Sequence, residues 1–401
     1  MSESNPAARI ARPPAEIANP DAHLEPFDWY REMREEVPIR YDDDRETWDV
    51  FRYEDVERVL MDPDTFTSNR TEAVGPGSVS DDRPVARTMI ATDPPEHERL
   101  RSVADDWFLP GAIRDRRSDV ERVARDVLDD CPDDGTFDLV SNFAYPFPVL
   151  VIAELLGVPG ERRDQFKKWS DTVVGSPEDT SKEGLQAFRR ERQRAMDEMS
   201  EFFRGLLEER EANPRDDLLT VAAEDDSLTE SEKVGFCILL LVAGNITTTN
   251  LITNTVWALD EHDRLEDVRS GEVDRKAAIE ETLRCRSPVQ AITRVAAEDT
   301  EIAGETVEAG DFVVSWTGSA NRDPAMFDAP SEFRPERSPN RHMGFGKGIH
   351  HCLGASLARL EADVALELLL EKYPDLEVVE DDFRPVESRI VYGLQSLRID
   401  T

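Results

Sequence analysis

The sequence is poor in cysteine and has no long apolar run. Its four cysteines are widely spaced along 401 residues and form no CxxC pair, which excludes a disulfide framework and favours a reducing compartment. The N-terminus lacks the apolar core of a signal peptide. The longest apolar run, residues 236–243, is far shorter than the roughly 20 residues that cross a membrane. These absences predict a cytoplasmic protein without membrane insertion.

Basic residues are also scarce, since 48 Lys and Arg residues face 86 Asp and Glu residues and the formal net charge is −38. Phosphate contacts need excess Lys and Arg, so this balance excludes a general nucleic-acid binder. The acids are spread along the whole chain, and their mutual repulsion destabilises a compact state unless salt screens it. We interpret the composition as adaptation to high intracellular salt, as in halophilic archaea. An ordinary acidic cytosolic enzyme is the alternative.

Helical patterns dominate the chain. Residues 1–20 are rich in Pro and Ala, and we expect them to form a loose leader. No linker divides residues 21–401, so we predict a single, mainly helical domain. Alternation typical of strands occurs over residues 292–316 and 388–397, which adds small β-sheets.

One predicted helix is unusual. It begins at a capping box, Thr229 to Glu232, and continues to about residue 260. Its middle is apolar on all sides, which predicts that it crosses the interior of the molecule.

The strongest chemical signal is a glycine-rich loop that leads to a cysteine before the final predicted helix, FGKGIHHCLG at residues 345–354. A helix N-terminus favours a thiolate, and Gly346 and Gly348 let the backbone lie flat against a large planar group. Phe345 is placed to shield the sulfur. The pattern favours Cys352 as a soft metal ligand, with a nucleophilic or an inert buried cysteine as alternatives. No GxGxxG, no GxxxxGK[ST] and no second zinc-ligand pair accompanies the loop.

The loop resembles the haem-binding loop of cytochromes P450, FGxGx[HR]xCxG, at every fixed position. The resemblance implies the cytochrome P450 fold, a helix-rich prism with small β-sheets, and haem b ligated by the Cys352 thiolate. Phe345, Gly346, Gly348 and Gly354 would belong to the same haem site.

Further positions match the family. Four basic side chains correspond to the donors that hold the haem propionates. His97 and Arg101 match the family's HxxxR pair, and Arg294 and His350 match two further single donors. These four are His97, Arg101, Arg294 and His350. Glu281 and Arg284 look like the ExxR pair, and Arg337 like the arginine that joins it. The resemblance gives these last three a structural role.

The central helix carries AGNITT at residues 243–248, which resembles the oxygen-activation motif [AG]Gx[DE]T[TS]. The resemblance implies that Ala243 and Gly244 allow a kink and a close approach, and that the Thr247 hydroxyl bonds dioxygen and relays protons. Ile246 stands where the motif has an acid. The remaining candidates for the proton route are waters, Asn245, Asn250 and another acid.

The resemblance implies a haem-thiolate monooxygenase that hydroxylates or epoxidises a small apolar substrate with O2. No flavin or nicotinamide motif is present, so electrons are expected from a ferredoxin-type partner with an NAD(P)H-dependent reductase. It would dock near Cys352, where four basic residues form a patch: Arg337, Arg341, Lys347 and Arg359. A peroxide-driven or isomerase-type haem-thiolate enzyme and a non-catalytic haem protein that binds a ligand are the alternatives.

A substrate pocket is expected above the haem. Its expected lining is Leu239, Val242, Ala243, Val289, Ile292 and Val391. Loops at residues 70–92 and 165–182 are expected to control access to it.

Overall fold

The computed structural model describes residues 12–69, 88–174, 182–379, 383–386, 388 and 390–401. Helices form most of this part of the chain, and the strands are short. The α-helices are α1 (Pro20–Leu24), α2 (Phe27–Glu36), α3 (Tyr53–Met61), α4 (Glu96–Asp105), α5 (Pro110–Asp115), α6 (Arg117–Asp129), α7 (Pro146–Leu156), α8 (Arg163–Val174), α9 (Lys182–Ala212), α10 (Leu218–Glu224), α11 (Glu230–Glu261), α12 (Leu265–Ser270), α13 (Arg275–Cys285), α14 (Thr317–Ala320) and α15 (Ala355–Lys372). The strands are β1 (Ile39–Asp42), β2 (Thr47–Val50), β3 (Phe66–Thr67), β4 (Phe137–Asp138), β5 (Ile292–Ala296), β6 (Thr300–Ile302), β7 (Glu305–Val307), β8 (Phe312–Ser315), β9 (Glu377–Val378) and β10 (Arg398–Asp400). The predicted mainly helical fold with small β-sheets is confirmed.

Helix α11 is the central element, and its predicted capping box is present. The hydroxyl of Thr229 accepts from the backbone N–H of Glu232 at 3.3 Å, and the Glu232 carboxylate accepts from the Thr229 N–H at 2.7 Å. The helix is long and apolar enough to cross a membrane, but its most apolar 18-residue window is 72% buried. It packs against α7, α9, α13 and α15. Its apolar surface is therefore covered by the protein itself.

The largest sheet has the strand order β1-β2-β8-β5-β3. Strand β2 runs parallel to β8, whereas the other neighbours are antiparallel. Residue Arg294 on β5 pairs with Val313 on β8, which fixes the direction of β5. Two smaller sheets have the orders β4-β10-β9 and β6-β7. The strands predicted over residues 292–316 are confirmed.

The strand predicted over residues 388–397 is wrong. Regular pairing begins only at Arg398, and Val391 and Leu394 form isolated bridges. The Ser388 hydroxyl accepts from the backbone N–H groups of Ile390 and Val391, at 3.4 and 3.1 Å. Such local side-chain bonds occupy the groups that a ladder would need.

The predicted leader is too long. Residues 1–11 lie outside the described part, but Ala15–Ile17 form a 3-10 turn in which Ile17 is buried. Glu16 pairs with Arg40 on β1 at 2.6 Å. The chain is therefore anchored well before residue 20.

The two loops expected to control access lie partly outside the described residues, at 70–87 and 175–181. In the rest of these ranges, Met89–Ala91 form a 3-10 turn. Residues 165–174 belong to helix α8, so the prediction of a loop there is wrong.

Candidate active site

The loop before Cys352 is folded tightly back on itself. The Cys352 N–H donates to the Phe345 carbonyl oxygen at 2.9 Å. Gly346 and Gly348 have φ values of +69° and +70°, which are accessible mainly to glycine. A Cβ atom at Gly348 would lie 2.5 Å from the carbonyl oxygen of Leu60 on α3. Helix α3 therefore leaves no room for a side chain at position 348. This second reason for a glycine could not be read from the sequence pattern.

The Cys352 side chain is exposed, yet surrounding protein desolvates the sulfur. Burial raises the pKa of the thiol and outweighs the Gly354 N–H and the charges of Arg101 and Arg359, which lower it. Helix α15 begins only at Ala355. In the free cysteine, burial thus outweighs the effects that would lower the pKa of the thiol. A soft metal cation bound to this sulfur would stabilise its thiolate.

One stretch of α11 is open although the helix is otherwise buried. Ala243 is exposed, and its neighbours Val242, Gly244, Ile246 and Thr247 are half-buried. The Thr247 hydroxyl donates to the Ala243 carbonyl oxygen at 2.9 Å. Ala243 and Thr247 lie one turn apart, so both are on the same face of the helix.

The predicted propionate donors do not all have the same surroundings. His97 is 2% exposed, and neither ring nitrogen has a partner among the described residues. Its ring centroid lies 4.5 Å from that of His350, whose Nε2 is 2.8 Å from the Ser68 hydroxyl. Arg294 is also buried. Since buried polar groups are rarely left unsatisfied, the two orphan nitrogens of His97 indicate an anionic or polar partner from outside the chain.

Arg101 binds the cysteine loop itself. Its Nη1 donates to the carbonyl oxygens of Ile349 at 3.1 Å and His351 at 2.8 Å. The guanidinium group thus holds the two residues that flank His350. Arg101 therefore positions the loop in addition to bringing positive charge to it.

Glu281, Arg284 and Arg337 lie in direct contact. Arg284 binds both carboxylate oxygens of Glu281, at 2.8 and 3.0 Å, and Arg337 Nε donates to the same carboxylate at 3.1 Å. Arg284 also donates to the carbonyl oxygens of Asn321, Pro330 and Glu332. The cluster joins α13 to the irregular segment that precedes the cysteine loop.

The residues fit a thiolate-ligated haem. Cys352 is exposed, α11 has an open face at Ala243, and the unsatisfied His97 nitrogens with the buried Arg294 suit the carboxylate groups of the propionates.

A family model described as cytochrome P450 matches residues 18–397. The chain belongs to the cytochrome P450 family. The structure is similar to that of substrate-free CYP109E1 from Bacillus megaterium, with 40% identity, a TM-score of 0.90 and coverage of 94% of this chain and 99% of that one. The complex of CYP109E1 with testosterone has 40% identity, a TM-score of 0.85 and coverage of 95% and 98%. The erythromycin C-12 hydroxylase of Saccharopolyspora erythraea is 38% identical, with coverage of 93% and 94%.

Family membership gives this P450 its reaction class and its cofactor. It is a haem monooxygenase, and the cofactor is haem b. When bound, haem supplies the activation of O2 and the transfer of an oxygen atom. The predictions of family, fold, enzyme class and cofactor are confirmed.

The expected substrate-lining residues of this P450 fall into two groups. Val242, Val289, Ile292 and Val391 are all half-buried, and a backbone bridge joins Val289 to Val391. Leu239 is buried and instead lines a small cavity of about 10 Å³ with Met89, Leu100 and Phe236. That volume holds about one water molecule.

The two asparagines considered for the proton route are both buried. Asn245 receives the Thr249 hydroxyl at 3.4 Å. Asn250 donates to the Ile246 carbonyl oxygen at 2.8 Å, and its side-chain oxygen would lie 1.9 Å from a Cβ atom at Gly393. Asn250 is therefore fixed by packing against Gly393.

A buried acid next to Thr248 was not predicted from the sequence. Glu361 on α15 is 1% exposed, and its carboxyl group interacts with the Thr248 side chain. Burial raises the pKa of this carboxyl well above its usual value. The signal that could have found it is the place of Glu361 on the apolar face of the final helix, four residues after Leu357 and three before Val364.

The expected basic patch near Cys352 is mostly neutralised. Arg337 pairs with Glu281, Lys347 with Glu57 and Arg359 with Glu280. Lys347 and Arg359 thus each have an acid of their own, whereas Arg337 shares Glu281 with Arg284. The predicted basic patch therefore has less net positive charge than its four residues suggest. The sequence could not reveal this, because the acids come from α3 and α13.

Proposed function

We propose that this P450 hydroxylates or epoxidises a bulky apolar substrate with O2, with Cys352 as the axial ligand of the haem iron. The observation that best supports the proposal is that helix α4 carries both Arg101, which binds the loop of the exposed Cys352, and the buried His97, whose ring nitrogens have no partner among the described residues. The side chains expected above the haem are aliphatic. Apolar walls orient a substrate by shape and exclude water from the reacting carbon.

The substrate class is supported by two relatives. CYP109E1 has been crystallised with testosterone, and another relative is named for hydroxylating erythromycin. Both compounds present large aliphatic ring systems. We infer a steroid-, terpenoid- or polyketide-sized substrate for this chain.

Each site residue has a proposed part. His97, Arg294 and His350 bind the propionates, and Arg101 holds the cysteine loop as well. The Thr247 hydroxyl, at the open face of α11, orients dioxygen through a hydrogen bond and passes protons to it. Protons reach Thr247 through waters and the Glu361–Thr248 pair, because Ile246 offers none. Glu281, Arg284 and Arg337 support the loop without taking part in the chemistry.

We propose that electrons come from a separate ferredoxin-type protein with an NAD(P)H-dependent reductase, in a cytoplasm of high salt. The basic residues around Cys352 are mostly paired with acids, which supports recognition of the partner by short-range fit. Molar salt would also screen the long-range electrostatic attraction between the two proteins.

A peroxide-driven reaction is the second candidate, and Ile246 favours it. Peroxide brings both oxygen atoms and both electrons, and it needs less delivery of protons from solvent. Turnover with ferredoxin, reductase and O2 is therefore to be compared with turnover by hydrogen peroxide alone.

The experiment that tests the proposal begins with purified protein in molar salt, supplied with haem. We expect the carbon monoxide difference spectrum of thiolate ligation and its loss in Cys352→Ser, whereas Cys131→Ser keeps it. Spectral titration with steroids, terpenoids and macrolides then identifies the substrate class. Nitrogen ligation after reduction, or the thiolate spectrum persisting in Cys352→Ser, would contradict the assignment of Cys352.

A further inference from the structure

The ring of Phe345 is held by two side chains that share one carboxylate. The Arg359 guanidinium carbon lies 4.5 Å from the ring centroid of Phe345, and the His342 ring lies 6.3 Å from it. Glu280 accepts from Arg359 Nε at 2.5 Å and Nη2 at 2.9 Å, and from His342 Nε2 at 3.0 Å. Glu280 on α13 thus fixes both neighbours of the residue that begins the cysteine loop.

The hydrogen bonds define the charges in this cluster. His342 Nδ1 accepts from the Gly344 N–H at 3.1 Å, so the proton is on Nε2 and the ring is neutral. Burial alone would raise the pKa of Glu280, but the hydrogen bonds from His342 and Arg359 outweigh it and lower the pKa to about 2. Glu280 is therefore ionised, and its charge compensates that of Arg359.

The cluster is connected to the sulfur in two ways. The Phe345 carbonyl oxygen accepts the Cys352 N–H, so the position of Phe345 fixes the backbone of the ligand. The positive charge of Arg359 also acts on the thiol of Cys352. How much of that charge the sulfur experiences depends on Glu280, because a paired guanidinium has a weaker field than a free one.

We propose that Glu280 is a positioning residue that sets the reduction potential of the haem iron, by compensating Arg359 and by holding Phe345, whose carbonyl oxygen binds the Cys352 N–H. The inference rests on the proposed role of Cys352 as axial ligand. Reduction adds one electron to the iron, and positive charge nearby stabilises the reduced form. Glu280 thus keeps the potential lower than an unpaired Arg359 would.

The test is a set of charge-deleting variants measured by redox titration of the holoprotein. Glu280→Gln keeps the side-chain volume and frees Arg359, so we expect reduction to become more favourable by about three- to tenfold, where tenfold corresponds to about 59 mV for one electron. Arg359→Gln should shift the potential in the opposite direction. The double variant should return close to the wild-type value.

Two further variants separate this role from a general effect of charge or folding. Glu57→Gln removes the partner of Lys347 on the same face, and we expect a much smaller shift than in Glu280→Gln. Arg359→Lys keeps the charge and should stay near wild type, which gives a readout even where Glu280→Gln fails to bind haem.

The proposal is overturned if Glu280→Gln and Arg359→Gln shift the potential in the same direction, or if Glu57→Gln matches Glu280→Gln. It is equally overturned if all variants share the wild-type potential while the carbon monoxide spectrum still shows thiolate ligation. A wild-type protein without that spectrum would instead overturn the assignment of Cys352, and the inference with it.

Discussion

The carboxyl group of Glu361 is buried and interacts with the side chain of Thr248, the residue that follows Thr247. Its Oε1 atom has no hydrogen-bond partner among the described residues, and burial raises the pKa of the carboxyl well above the usual value. The packing of α15 on α11 thus places a proton-bearing group next to Thr248.

Replacement of Glu361 by Gln should change how stability depends on pH. The unfolded carboxyl ionises near pH 4.3, whereas the folded one keeps its proton to higher pH. Between these two pKa values the wild type loses stability relative to Glu361→Gln, by about 1.4 kcal/mol for each pH unit. Below the unfolded pKa the difference should be constant. Urea unfolding at constant salt across this pH range measures it, and parallel curves for the two proteins would contradict a raised pKa.

Replacement of Ile246 by Glu should improve the coupling of electron consumption to product. The new carboxyl would stand at the half-buried position before Thr247 and supply protons that Ile246 cannot. We expect less hydrogen peroxide released per NAD(P)H consumed, by several-fold, since a positioned acid contributes typically 10²–10⁴-fold to a proton transfer. Ile246→Gln is the matched control, similar in size but unable to donate an acidic proton. Unchanged coupling in Ile246→Glu would mean that proton supply never limits this enzyme.

Much of the fold and of the haem site was predictable from local patterns. The capping box at Thr229 and the glycine turns before Cys352 involve residues that are close together in the sequence. Their spacing alone was therefore enough to predict them. The contact of Arg337 with Glu281 was predictable only through the family resemblance, because 56 residues separate them.

Other features depend on which helices meet, and no local pattern encodes them. Glu361 and Thr248 are brought together by the packing of α15 on α11. The desolvation that raises the pKa of the free Cys352 thiol also comes from the surrounding protein, and the spacing of the loop does not encode it. In the same way, the Ser388 hydroxyl binds the N–H groups of Ile390 and Val391, which the alternation of residues 388–397 did not indicate.

His97→Ala should weaken haem retention while leaving the fold intact. Both ring nitrogens are buried and unsatisfied among the described residues, so the side chain contributes little to the protein without haem. A hydrogen bond to a charged group is worth about 1.5–3 kcal/mol, which corresponds to haem loss roughly 10- to 100-fold faster. Transfer of haem to an excess of apomyoglobin measures the rate. His23→Ala is a control, since His23 bonds the Val391 carbonyl oxygen, and equal rates in both variants would argue against a propionate contact at His97.

Lowering the salt concentration should destabilise the protein, and two electrostatic effects compete in this prediction. Salt weakens surface ion pairs such as those of Arg117 with Glu121 and Glu367, but exposed pairs contribute only about 0–1 kcal/mol each. It also screens the repulsion that belongs to a net charge of −38, and the Debye length grows from about 3 Å at 1 M to about 10 Å at 0.1 M. Because acids remain in large excess after every base is paired, repulsion should dominate.

We therefore expect the thermal midpoint to fall, and helical circular dichroism to be lost, as potassium chloride is removed. Sucrose added in place of the salt should restore less stability than potassium chloride does, because sucrose stabilises compact states without screening charge. A midpoint that is the same at low and at molar salt would show that the excess of acids serves solubility alone, and the adaptation to high salt would have to be abandoned.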